Sequence, residues 1–220
     1  MKRIFSAIAF LFVFSFLQAQ PEVELSFTGS PSLNWMNSDE KHIEKGQAFL
    51  GYDFGINADF FMPGSEQYAF GTGILITNTG GELQFQTEND FSFAGEQLAP
   101  YTKVKYHIRY LEIPTVIKMK TSQFHRTTFW GQFGLSSMIN IGAKGTSNDE
   151  ILDKTNISDE VNMFNLALNV GLGFDFDLGG NNAVTAGLIF KNGFLDVTSN
   201  SDIADKTIIN SLLLKLGVVF

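Results

Sequence analysis

Between Phe164 and Phe176 every second residue is large and apolar: Phe164, Leu166, Leu168, Val170, Leu172, Phe174 and Phe176. The residues between them, Asn165, Ala167, Asn169, Gly171, Gly173 and Asp175, are small or polar. A repeat of two sorts these sets onto opposite faces of a β-strand, whereas a helix would mix them around its circumference. A strand with one wholly apolar face must cover that face with something apolar. What covers it decides the fold.

The pattern recurs. Alternating segments are expected at about Val23 to Met36, Phe49 to Met62, Tyr68 to Asn78, Tyr106 to Lys120, Thr127 to Ile141, Val161 to Asp177, Ala183 to Val197 and Thr207 to Phe220. In the second, Tyr52, Phe54, Ile56, Ala58 and Phe60 oppose Gly51, Asp53, Gly55, Asn57 and Asp59. In the last, Leu212, Leu214, Leu216, Val218 and Phe220 oppose Ser211, Leu213, Lys215, Gly217 and Val219.

The connections alternate in length. Long ones run from about Asn37 to Ala48, Thr79 to Lys105, Gly142 to Glu160 and Thr198 to Lys206, and short ones span Pro63–Gln67, Thr121–Arg126 and Leu178–Asn182. An even-stranded barrel with both termini at one end sends every odd connection to the other end. Outer-membrane barrels have short periplasmic turns and long external loops. Eight strands leave room inside only for side chains. A small, polar inner face fits that space, and the apolar face then meets hydrocarbon, where ring closure satisfies every edge. A soluble barrel would reverse this, with large apolar residues around an internal ligand. The expected fold is an all-β, eight-stranded antiparallel up-and-down transmembrane β-barrel with both termini periplasmic. Trp35, Tyr52, Tyr68, Tyr106 and Tyr110 fall near strand ends, where an interfacial aromatic girdle is expected.

The N-terminus carries an address. Lys2 and Arg3 precede an apolar run from Ile4 to Leu17, and Gln18-Ala19-Gln20 supplies a small residue for cleavage. This is the form of a secretory signal peptide over residues 1–19, cleaved near Ala19/Gln20, leaving 20–220 as the barrel domain. No later stretch approaches the ~20 apolar residues of a membrane helix. The chain has 23 Phe, 21 Gly and no Cys. Absence of cysteine excludes disulfides, thiolate metal sites and a lipid-modified N-terminal cysteine. A formal charge of −8 argues against a nucleic-acid partner.

The fourth segment contains Arg109-Tyr110-Leu111-Glu112-Ile113-Pro114-Thr115-Val116-Ile117-Lys118. It resembles the Tyr-Leu-Glu-Ile-Pro-…-Lys signature of the PorT-like outer-membrane β-barrel family of Bacteroidetes. The resemblance extends to the Gly/aromatic alternation and to Phe220, which looks like the terminal signal read by the barrel-insertion machinery. It implies an eight-stranded outer-membrane barrel, and in the family's namesake a link to protein secretion. Within this segment Leu111, Ile113, Thr115, Ile117 and Met119 should face lipid, with Glu112, Pro114, Val116, Lys118 and Lys120 inside. Proline removes a ladder hydrogen bond, so a bulge or an unpaired carbonyl is expected near Pro114.

Candidate sites follow from the inner face. Asp53, Asp59, Glu112, Asp175, Lys118, Lys191 and Lys215 should form a polar network in the lumen, centred on Glu112, because a buried charge is costly unless paired. Fourteen acidic residues fall in the long connections: Asp39, Glu40, Glu44, Glu82, Glu88, Asp90, Glu96, Asp149, Glu150, Asp153, Asp159, Glu160, Asp202 and Asp205. They are read chiefly as solvated charge, with divalent-cation bridging to anionic lipopolysaccharide as the functional alternative. Of the three histidines, His107 could be built into a pair with Asp53, but no Gly-x-Ser-x-Gly, His-Glu-x-x-His or phosphate-binding loop is present. No catalytic residue, metal or cofactor is expected. The leading function is a non-enzymatic structural, surface-interaction or secretion-accessory role, with outer-membrane lipid, lipopolysaccharide and a protein at the Thr79–Lys105 loop as partners. The alternatives are a narrow pore for ions or small solutes, and an outer-membrane enzyme acting at the external rim.

Overall fold

The computed structural model describes residues 22–39, 43–180, 182–199 and 206–220. The segment read as a signal peptide, together with Glu40, His42, Asp202 and Asp205, lies outside the described residues. Eight long strands carry the architecture: β1 (Val23–Ser38), β2 (Phe49–Phe61), β3 (Tyr68–Phe85), β4 (Lys103–Lys120), β5 (Thr127–Ser147), β6 (Phe164–Gly179), β7 (Asn182–Gly193) and β8 (Thr207–Val219). Each pairs antiparallel with its neighbours in sequence. β8 returns to β1, with Phe27 opposite Val218, Leu33 opposite Leu212 and Ser38 opposite Thr207. Phe220 adds a backbone bond to Leu25 (2.8 Å). The barrel is closed.

The short connections, the start of β1 and Phe220 gather at one end, here the turn end; the four long connections leave the strands at the other, the loop end. Along the lower part of the wall, the alternation translates directly into facing. Phe54, Ile56, Ile74, Ile113, Ile117, Phe133, Leu172, Leu188 and Leu214 point outward and are exposed, while Ser30, Asp53, Glu112, Ser136, Asn169 and Lys191 point inward and are buried.

Several strands run further than their alternation suggests. β3 continues to Phe85 instead of ending at Asn78, β4 begins at Lys103, and β5 reaches Ser147 instead of Ile141. The connection between β3 and β4 therefore shortens to residues 86–102, and it folds its own hairpin from Phe91–Phe93 and Glu96–Leu98. Two causes hid these extensions. Ile141 is an extra residue, since Arg109 faces Gly142 while Tyr110 faces Asn140. Such a bulge shifts the phase of inward and outward positions. Above it the polarity of the faces also inverts. Outward positions become Asn78, Glu82 and Gln84 on β3, and Arg109, His107, Lys105 and Lys103 on β4. Inward ones become Leu83, Phe85, Tyr110, Ile108, Tyr106 and Val104.

These residues pack with Met36, Ile43, Ala143 and Ile209 and with the loop residues Phe91, Phe93, Leu98, Leu152, Ile157, Val161 and Val197 into an apolar core inside the loop end. Tyr106 and Tyr110, expected in the girdle, are buried in this core. Tyr52 lies where the outward apolar surface ends toward the loops, since its partner Asn78 faces Arg109. Trp35 occupies the same border and stacks on Phe190. Tyr68 marks the turn end of β3.

No bulge occurs at Pro114. Its ladder to β5 is continuous, with Pro114 opposite Ser136. On the β3 side the paired register passes from Thr72–Thr115 to Leu75–Glu112 without slipping, omitting Gly73 and Ile74. Pro31 does the same: it pairs with Tyr52 of β2, while the β8 side passes from Gly29–Leu216 to Ser32–Leu213. Each proline removes a donor toward one neighbour only, so the wall stays in register.

Candidate functional site

All seven luminal residues anticipated from the alternation face inward and are buried. The strands arrange them in tiers. In the uppermost, Lys191 of β7 spans the lumen to Glu112 of β4 at 2.7 Å and Asp53 of β2 at 3.2 Å, with side chains 4%, 0% and 4% exposed. Thr77 of β3 donates a 2.6 Å hydrogen bond to the second oxygen of Glu112, which also accepts from Lys191 at 2.8 Å. One cation thus links three separate strands around a carboxylate fully removed from solvent.

The second tier lies six residues further along β4, where Lys118 pairs with Asp59 at 2.6 Å. Its ammonium lies 5.4 Å from the centre of the Trp130 ring, and that of Lys215 lies 5.3 Å from the same ring. Lys215 meets no carboxylate within ion-pair distance among the described residues. Trp130 fits because the wall beside it has no side chains. A Cβ on either Gly173 or Gly187 would come within 2.5 Å of its ring carbon Cζ2. Its indole nitrogen donates to Thr185 at 3.2 Å. At the turn-end mouth, Lys120 joins Glu24 at 2.6 Å and Asp175 at 2.9 Å.

Lys120, Glu24, Trp130 and Thr77 belong to this arrangement although sequence reasoning did not single them out. Glu24 and Lys120 were legible as inward positions, but nothing in the sequence sets the height at which β1, β4 and β6 meet.

Neutral side chains fill the remaining section. Gln132 donates to Asn169 at 2.7 Å, Asn169 to Ser136 at 3.0 Å and Asn57 to Thr28 at 2.9 Å. A cavity of about 30 Å³ lies between the first two tiers, lined by Asp53, Lys191, Asp59 and Lys215. A second, of about 10 Å³, lies on the other side of Lys191, beside Thr77 and Asn165. These volumes are on the scale of single water molecules.

Toward the loop end the lumen is closed by the apolar core, and polar contacts fasten the loops above it. Glu160 accepts from the backbone of Ala94 at 2.8 Å. Asp149 accepts from Thr102 at 3.4 Å. Asp196 accepts from the backbones of Thr198 and Thr207 at 3.1 and 3.0 Å. Of the acidic residues read as solvated loop charge, Glu160 and Asp149 are therefore structural. Among the described residues, no group of three or more His, Asp or Glu side chains is placed to hold a metal ion.

The proposed His107–Asp53 pair does not assemble. Asp53 points into the lumen toward Lys191, whereas His107 sits on the outer wall with its ring edge-on to Phe49 at 4.9 Å. Burial, then the charges of Lys105 and Lys154, hold the His107 pKa below its ordinary value. His125 occupies the turn between β4 and β5, against Phe124.

No curated protein matches the sequence. Among solved structures, the Neisserial surface protein A is 14% identical, with 89% of this chain and 95% of that one covered and a TM-score of 0.47. The attachment invasion locus protein Ail of Yersinia pestis, solved with a heparin analogue, is 12% identical, with coverages of 90% and 99% and a TM-score of 0.43. OprG of Pseudomonas aeruginosa is 11% identical, with coverages of 91% and 97% and a TM-score of 0.42. The model of the outer membrane protein β-barrel domain matches residues 18–199, so this chain, an eight-stranded barrel of the outer membrane, belongs to that family.

Proposed function

We propose that this protein is a non-enzymatic outer-membrane barrel with a sealed lumen, working through its external surface in a structural or partner-binding role. The sealing carries the reading: three tiers of ion pairs fill the lower lumen, and an apolar core fills the upper. The turn end, with Phe220 and the start of β1, is the periplasmic side. Phe220, exposed beside Leu25, is the aromatic side chain offered to the barrel-insertion machinery. Within the family the chain stands with the PorT-like barrels of Bacteroidetes, on Tyr110 to Lys118. The signature's inward residues are the core Tyr110, the hub Glu112, Pro114 and the paired Lys118. A secretion-accessory role is the partner-binding form of the same reading, with residues 86–102 as the contact.

Reconstitution of the purified barrel into planar bilayers tests the sealed lumen. The expected recording is silent. Steady single-channel openings would overturn the reading and favour the narrow pore.

A further inference from the structure

The outer wall of the loop end carries a concentration of positive charge that the sealed-barrel role does not use. Along β4 the outward residues run Lys103, Lys105, His107, Arg109, then Leu111, Ile113, Thr115, Ile117 and Met119. Lys144 of β5 lies directly across from His107. Lys154, in the connection after β5, donates its backbone N–H to Thr146 at 3.3 Å, and Thr146 lies directly across from Lys105. The described lysines and arginines outside the lumen are Lys45, Lys103, Lys105, Arg109, Arg126, Lys144, Lys154 and Lys206, so five of the eight gather here. The whole chain carries −8.

All five are exposed, and none meets a carboxylate within ion-pair distance among the described residues. Glu82, opposite Lys105, instead accepts from the backbone of Gln47 at 3.3 Å. Arg109 is held by one hydrogen bond, from its Nε to Asn78 at 3.1 Å, which leaves both terminal guanidinium nitrogens for a ligand. The Lys105 ammonium lies 5.8 Å from the centre of the Phe49 ring, which also supports His107.

Position selects the ligand. Arg109 is two residues from Leu111 on the same face, about 7 Å along the strand, and Lys103 is roughly 20 Å further from Arg109 toward the loops. The stripe therefore continues the lipid-facing band upward instead of surrounding the lumen mouth. Anions met at that height belong to the headgroup layer, and guanidinium and ammonium groups suit phosphate. We propose that Lys103, Lys105, Arg109, Lys144 and Lys154 form a binding surface for the phosphate groups of an outer-leaflet glycolipid of the lipopolysaccharide type. This rests on the loop end being external. The stripe gives an otherwise acidic protein one flank on which anionic glycolipid can pack without a bridging divalent cation.

The test compares the full barrel with its Lys105→Gln/Arg109→Gln/Lys144→Gln variant, both folded in detergent, in titrations with lipopolysaccharide, dephosphorylated lipopolysaccharide, inorganic phosphate and heparin. All three substitutions are on the exposed wall, so thermal melting should be unchanged. Lipopolysaccharide should bind the variant about a hundredfold more weakly, on the usual contribution of each basic residue near an anionic membrane surface. Equal affinity of both proteins for lipopolysaccharide, or full binding of its dephosphorylated form, overturns the proposal. So does a loss confined to heparin, which assigns the stripe to a soluble polyanion, or to inorganic phosphate alone. An Asn89→Cys variant, at an exposed position of the 86–102 connection outside the stripe, treated on intact cells with a membrane-impermeant maleimide tests the orientation separately. Labelling without glycolipid binding removes this inference alone, whereas protection from the reagent removes the orientation and the inference with it.

Discussion

The two halves of the barrel obey opposite rules. In the lower half, outward residues are Phe, Leu, Ile and Val, and the interior is Ser, Asn, Asp, Glu and Lys tied by hydrogen bonds and ion pairs. In the upper half, Lys103, Lys105 and Arg109 face out, while Val104, Tyr106 and Ile108 face in and meet the loops. The same strand, β4, changes rule between Arg109 and Leu111. What lies outside the wall explains it. Hydrocarbon covers the lower wall, so apolar side chains gain little by turning inward and a narrow lumen is filled by polar groups that satisfy one another. Above the hydrocarbon the wall meets the polar headgroup layer and water, and burying apolar side chains inside is again the favourable choice.

The difference predicts how each half fails. Glu112→Ala should have the largest effect, about 3 to 4 kcal/mol, because it leaves Lys191 buried with only Asp53. Thermal melting in detergent would show it as a lower midpoint for the whole barrel. An unchanged midpoint would remove the luminal network and with it the contrast between the halves. Phe93→Ala should cost about 3 kcal/mol, charged almost entirely to docking of the 86–102 connection. Proteolysis of that connection should quicken by about a hundredfold while the barrel's midpoint stays in place, since local opening tracks local stability. A matching fall in both would mean that the two halves unfold as one unit.

Gly187→Leu should cost about 2 kcal/mol by forcing a side chain into the space of the Trp130 ring. Quenching or a spectral shift of tryptophan fluorescence would locate the damage, and a normal spectrum would show that the lumen has slack at this level. The smallest effect concerns pH. His107 is held below its ordinary pKa, so the folded state takes up its proton less readily than the unfolded one. That costs stability as pH falls through the ordinary histidine range, and the loss levels off below the folded pKa. NMR titration of the ring should show the midpoint rise in Lys105→Gln, whereas an unmoved midpoint would place the basic stripe too far away to act on it.

Much of the lower half was legible from alternation alone. Leu212, Leu214, Leu216, Val218 and Phe220 read as outward and Lys215 as inward, and Glu112, Pro114 and Lys118 followed from the same parity, because a repeat of two leaves a strand residue only two directions to point. Loop parity likewise implied closure of β8 on β1. The upper half was not legible. Tyr106 and Tyr110 looked like girdle residues and β3 looked finished at Asn78, because the change of surroundings inverts the pattern and the extra residue at Ile141 shifts its phase.

The sequence by itself therefore determined which way each lower-half side chain faces, and that the strands come in an even, ring-forming set. Only the tertiary structure decided which inward groups meet: Lys191 with Glu112 and Asp53, Lys120 with Glu24 and Asp175, and Lys215 with no carboxylate among the described residues. The reason is geometric. Facing is a property of one strand and is written in its own residues, whereas height depends on the stagger between strands, which every pair around the closed ring fixes together.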